Sequence, residues 1–138
     1  MFANSAGLAG HVTVGDGVII GGLAGVHQFV RIGDLAMLAA GAMVGRDVPP
    51  YCVAQGDHAA LVGLNLVGLQ RRGWSGDEIM RLRRIYKVIF RGQGRFQDRL
   101  AEARRLCGDE PKLLKLIDFS ARSARGVLRA KKGAAGDE

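Results

Sequence analysis

The side chains of this sequence with the most evident chemistry are two histidines and a pair of adjacent arginines. His11 follows Gly10, and His27 is followed by Gln28. Imidazole titrates near neutrality, which suits it to proton transfer and to holding a polar ligand. The Gly10 N–H, with no side chain beside it, can face a developing oxyanion, an interaction worth ~3 kcal/mol in a preorganised site. Arg71-Arg72 has the donors to clamp a diphosphate through charge-assisted bidentate hydrogen bonds. Each has a plainer reading beside it: surface corners for the histidines and the glycine, a solvated basic pair for the arginines. Cys52 and Cys107 match neither a CxxC nor a Cys/His ligand spacing. Neither a metal nor a cofactor is therefore expected, and the chain reads as a reduced, cytoplasmic protein.

Any site built from these groups depends on the element that carries them. Stepping by six from Phe2 meets Leu8, Val14, Ile20, Val26, Ile32, Leu38, Val44 and Pro50, so eight of nine positions are aliphatic or aromatic. Four places further into each hexad stand Ala6, Val12, Val18, Ala24, Val30, Ala36, Ala42, Val48 and Ala54, all small and apolar. Directly after the large residue come Gly15, Gly21, Gly33 and Gly45, where a corner that needs positive φ is expected. A helix needs apolar spacing near 3.6 and would not survive these glycines, and a glycine-rich β-sandwich has no reason to repeat every six residues. The pattern predicts a β-solenoid over residues 1–56. His11 takes an outward position in it, and His27 fills the slot where four other hexads have glycine.

Behind the repeat, residues 57–74 read as a connecting segment and 75–130 as helical. Ser75-Gly76-Asp77-Glu78 is a capping box ahead of Ile79, Leu82, Ile85, Tyr86 and Ile89, which predicts a helix over 76–91. Gly92 and Gly94 end it, a second helical pattern covers 95–107, and Pro111 opens a third with Leu113, Leu114, Ile117 and Phe119. Residues 131–138 read as a disordered tail. The formal charge of +7 is unevenly shared: residues 1–70 hold two arginines against four aspartates, a balance of −2, which leaves +9 for the rest. That split suits anionic partners such as phosphates, nucleic acid or acidic carrier proteins without choosing among them. No apolar run approaches the ~18 residues of a membrane span, so no membrane insertion is expected.

The front half resembles the hexapeptide-repeat acyltransferases, in which three hexads close one triangular coil of a left-handed parallel β-helix. On that geometry hexads 18 residues apart share a face, roughly 4.8 Å apart, and His11 becomes a neighbour of His27-Gln28. Local strings narrow the resemblance: Leu8-Ala9-Gly10-His11-Val12, Val26-His27-Gln28-Phe29, Asp47-Val48-Pro49-Pro50-Tyr51, Ala54-Gln55-Gly56, Gly63-Leu64-Asn65 and Gly68-Leu69-Gln70-Arg71-Arg72-Gly73. Tyr86-Lys87 and Phe119-Ser120-Ala121-Arg122-Ser123 continue it. As an ordered set they are similar to the C-terminal half of the UDP-N-acetylglucosamine O-acyltransferase family. The resemblance implies a homotrimer of left-handed parallel β-helices, each followed by a C-terminal α-helical domain. It implies transfer of a 3-hydroxyacyl group from acyl carrier protein to the sugar 3-hydroxyl of UDP-N-acetylglucosamine, which opens lipid A synthesis. It also implies roles: the Gly10 N–H in an oxyanion hole, His11, His27 and Gln28 holding substrate at the reacting centre, and Asn65, Arg71 and Arg72 meeting the uridine diphosphate. Ala40 matches a position lining the acyl groove, where a methyl leaves room for a fairly long chain.

Two departures qualify the resemblance. The family's general-base histidine lies about one coil upstream of the position matching His11, which falls before Met1. The chain is therefore expected to be a shortened form, weak or inactive alone, since a general base contributes roughly 10²- to 10⁴-fold. Val67 stands where the family commonly has an acidic residue near the nucleotide. The alternatives are a non-catalytic trimerising or ligand-binding remnant, and a transferase for another sugar or amine. A nucleic-acid binder rests on the back-half charge alone, with no helix-turn-helix or aromatic-interleaved signal, so no nucleic-acid partner is expected.

Overall fold

The computed structural model describes residues 7–132, so Phe2, Ala6 and tail residues 133–138 lie outside the described residues. Seven two-residue strands start at six-residue steps: β1 (Gly7–Leu8), β2 (Thr13–Val14), β3 (Ile19–Ile20), β4 (Gly25–Val26), β5 (Arg31–Ile32), β6 (Met37–Leu38) and β7 (Met43–Val44). They stack as parallel ladders, β1–β4–β7, β2–β5 and β3–β6, with partners 18 residues apart such as Gly7, Gly25 and Met43. Three ladders make three faces, and both expected columns point inward. Ile20, Val26, Ile32, Leu38 and Val44 are buried in one, and Val18, Ala24, Val30, Ala36 and Ala42 in the other. Each large aliphatic contributes about 1.5–3 kcal/mol by leaving water. Leu8, in a coil stacked on one side only among the described residues, keeps 37% of its surface exposed.

The corners differ from the expectation. Positive φ falls not at Gly15, Gly21, Gly33 or Gly45 but, in the six hexads before the one that holds Gly45, two residues after that slot, at His11, Gly17, Leu23, Phe29, Leu35 and Gly41. Four of those six are not glycine, and each bears a cost of about 1 kcal/mol. The glycines after the large residue serve close packing instead. A Cβ at Gly15 would stand 2.8 Å from the Asp34 nitrogen, and one at Gly33 2.7 Å from the Pro50 Cα.

The frame also slips by two residues. Ile32 pairs with Val48 and Leu38 with Ala54, both 16 residues on, where continued six-residue stepping would bring Pro50 beside Ile32. In that unslipped register Pro50 would have to donate to the Arg31 carbonyl, and proline has no N–H. Val48 donates instead, at 2.9 Å. The coil ends in β8 (Cys52–Gln55), which turns back on β9 (Ala60–Leu64) as an antiparallel pair, so the expected connecting segment holds a strand.

Four helices follow: α1 (Leu66–Arg71), α2 (Gly76–Arg91), α3 (Phe96–Cys107) and α4 (Pro111–Ala121). The capping box at Ser75 and Glu78 starts α2, whose Ile79, Leu82, Ile85, Tyr86 and Ile89 are buried. Tyr51 Oη donates to the Lys112 carbonyl at 2.8 Å, and the Arg31 guanidinium lies 4.4 Å from the Phe119 ring centre, which docks α4 on the solenoid. Beyond α4 the chain returns to the coil. Asp47 bridges to Val127 and Leu61 to Ala130, and Lys131 donates to the Leu61 carbonyl at 2.8 Å. Ordered backbone pairing thus extends into the start of the expected tail.

Candidate functional site

The residues singled out from sequence fall on different corners of the coil. His11 sits at the first corner with φ 61 and stacks on Phe29, its counterpart 18 residues on, with ring centres 5.2 Å apart and planes 11° off parallel. Both are exposed. Gly10 beside it has open space where a Cβ would stand. His27 and Gln28 enter the same corner one coil later. The His27 N–H donates to the Val44 carbonyl at 2.9 Å, and below its ring Gly45 leaves a shelf, since a Cβ there would meet His27 Nδ1 only at 3.5 Å. His27 opens into a cavity of about 540 Å³ shared with Met43, Arg46 and His58. His58, absent from the sequence reading, sits beyond Gly56 where the hexad spacing has ended, so the six-residue frame carried no signal for it.

The second corner carries the arginines. Asn65 is buried; its Oδ1 accepts from the Gly68 N–H and caps α1, and its Nδ2 donates to the Leu35 carbonyl at 2.9 Å. Each polar end of that side chain thus makes one bond that fixes α1 to the corner at Leu35, and the amide keeps a second N–H. Arg72, at the end of α1, lays its guanidinium over Gly17, where a Cβ would come 2.5 Å from Nη2. Arg71 is exposed in the last turn. Asp34 lies close by, bonded at Oδ2 to Lys115 Nζ at 2.7 Å and at Oδ1 to the Asp16 N–H at 2.8 Å. Partial burial works against its carboxylate, but the Lys115 and Asp16 hydrogen bonds and the charges of Lys115 and Arg72 outweigh it and hold its pKa below the usual value. Val67 is exposed in the first turn of α1. Ala40 belongs to the third corner, exposed beside Gly41. One chain thus puts the histidines on one corner of the coil, Asn65 and the arginines on a second, and Ala40 on the third.

The sequence pattern described as Udp N-acetylglucosamine O-acyltransferase, domain 2, matches residues 47–128, and that of the bacterial transferase hexapeptide matches residues 11–46. The chain belongs to the UDP-N-acetylglucosamine O-acyltransferase family. A relative named acyl-[acyl-carrier-protein]–UDP-N-acetylglucosamine O-acyltransferase, from Alkalilimnicola ehrlichii, is 47% identical over 93% of this chain and 50% of its own length. One of the same name from Myxococcus xanthus is 46% identical over 86% of this chain and 46% of its own. The crystal structure of the enzyme from Moraxella catarrhalis superposes with a TM-score of 0.88 at 42% identity, covering 93% of this chain and 50% of that one. The chain spans about half the length of the relatives it matches. Among the described residues no helix is long and apolar enough to cross a membrane, and no three His, Cys, Asp or Glu side chains are grouped to hold a metal ion.

Proposed function

We propose that this chain is the C-terminal portion of a cytoplasmic enzyme that moves a 3-hydroxyacyl group from acyl carrier protein to the 3-hydroxyl of UDP-N-acetylglucosamine, in lipid A synthesis. The observation that carries this reading is the likeness to relatives of that name across 93% of the chain, solenoid and helices together. In the reaction the sugar oxygen adds to the thioester carbonyl, the carrier leaves as its thiol, and the sugar's hydroxyl proton passes through a general base. The Gly10 N–H steadies the oxyanion, and His11, His27 and Gln28 hold the reactants. Asn65, Arg71 and Arg72 meet the uridine diphosphate, and Asn65 also sets α1 beneath the arginines. Ala40 lines the acyl groove. The base itself is assigned to a histidine about one coil upstream of His11, outside these 138 residues.

The family likeness supports a left-handed coil, and the division of these residues among its three corners supports a homotrimer in which a corner of one copy completes the site of its neighbour. Val67 puts an apolar side chain near the nucleotide, so uridine recognition leans on the arginines. The test is acyl transfer from hydroxyacyl carrier protein to UDP-N-acetylglucosamine, measured on this chain and on a form extended by its in-frame upstream coil. Turnover only in the extended form supports the assignment of the base. Equal turnover by the 138 residues alone overturns that assignment, and binding without turnover in both favours a ligand-binding remnant.

A further inference from the structure

The segment after α4 reaches back across the solenoid with one guanidinium. Arg125 donates from Nη1 to the Gly45 carbonyl and from Nη2 to the Gln28 carbonyl, both at 2.9 Å. These acceptors lie in successive coils beside His27. The Gln28 carbonyl belongs to the same peptide group as the Phe29 N–H, and Phe29 is the left-handed residue, φ 68, whose ring stacks on His11. Phe29 is 59% exposed, so the core does not pin this peptide group. Arg125 pins it from outside. Its own position is fixed on both sides: Ser123 Oγ donates to Asp47 Oδ2 at 2.6 Å, and the Gly126 carbonyl accepts from the Asp47 N–H at 3.0 Å. A planar fork satisfies two carbonyls at once, which a lysine cannot do with the same geometry.

We propose that Arg125 is a positioning residue: it holds the Gln28 peptide group, and through it His27, Gln28 and the His11–Phe29 stack, in the orientation that receives substrate. The identity of that substrate rests on the function proposed above, while the clamp itself does not. The experiment compares the chain with its R125A, R125K and R122Q variants by amide hydrogen exchange and by calorimetric titration with UDP-N-acetylglucosamine. R122Q removes the same charge from an exposed neighbour. In R125A, exchange at His27 and Val30, whose N–H groups bond to the Val44 and His27 carbonyls, rises about tenfold while Ile19 and Gly33 keep their rates. Affinity falls about fivefold to tenfold, R125K lies between, and R122Q stays within about twofold. Millimolar guanidinium restores part of the R125A affinity, which a merely loosened fold would not allow. Unchanged exchange at His27 and Val30 overturns the clamp. Faster exchange with unchanged affinity reduces Arg125 to a brace and overturns the positioning role. If the unaltered chain does not bind the nucleotide sugar, the functional reading fails and the positioning role with it, and the exchange rates still decide the clamp.

Discussion

At the scale of single residues, a Cβ added at Gly21 would sit 2.5 Å from the Ala40 nitrogen, whereas one at Gly45 would stand 3.5 Å from His27 Nδ1. Backbone cannot give way as a side chain can, so Gly21→Ala is expected to cost about 2–3 kcal/mol in urea unfolding, and Gly45→Ala less than about 0.5 kcal/mol. Gly45→Ala should instead crowd the shelf under His27, and its effect should appear in nucleotide-sugar affinity rather than in stability. Gly10 has open space, so Gly10→Ala should fold as the parent does. In the extended enzyme Gly10→Pro, which removes the N–H, should lower turnover about 10²-fold if that donor faces the oxyanion. An unaltered rate in Gly10→Pro would take Gly10 out of the site.

At the scale of elements, α4 is tied to the coil by the Lys115–Asp34 pair, and α1 brings Arg72 to the same carboxylate. The folded pKa of Asp34 is depressed, so its contribution is present above the unfolded carboxylate value near 4 and is lost as pH falls through the lower, folded value. Lys115 is half exposed, so the pair is worth about 1 kcal/mol or less. Asp34→Asn should therefore lower the melting temperature at pH 7 and lower it by less near pH 3. An equal loss at both pH values would assign the effect to packing. At the N-terminus of α2 the reciprocal Ser75–Glu78 bonds satisfy two backbone donors, and Ser75→Ala should cost about 1 kcal/mol by thermal unfolding.

For the molecule as a whole, the charge split between the two halves is partly answered by contact between them, with Lys115 on Asp34 and Arg72 near it, and a neutral hydroxyl, Ser123, meets Asp47. Asp47 is 2% exposed, and its N–H, carbonyl and Oδ2 all meet residues 123–128. Ending the chain at residue 121 would strip those partners and uncover Leu61, a loss of at least about 3 kcal/mol. That form is expected to unfold at markedly lower urea than the parent, and an unchanged midpoint would show that the returning segment is dispensable. If the proposed trimer completes the site, sedimentation should give about three times the 14.7 kDa chain mass, and nucleotide-sugar binding should vanish on dilution to the monomer.

Periodicity and capping determined the solenoid, its two inward columns, the spans of two long helices and the start of the third, because a six-residue apolar repeat and capped 3.6-residue faces each admit one regular structure. The three-hexad coil that the family resemblance implied set His11 and His27-Gln28 near one corner. Spacing misassigned the left-handed position, since glycine is demanded both by positive φ and by close approach, and composition does not distinguish the two. Pro50 was visible, but the two-residue slip that keeps it out of the ladder depends on which carbonyl it would have had to serve in the coil before. Asn65 was marked by the family resemblance and Arg72 as half of a basic pair, but α1 between them, the burial of one and the placement of the other over Gly17 were not legible. Arg125 looked like one more charge on a basic helical half. Only the folded chain, by returning to the coil 97 residues beyond Gln28, gave its guanidinium two carbonyls to hold.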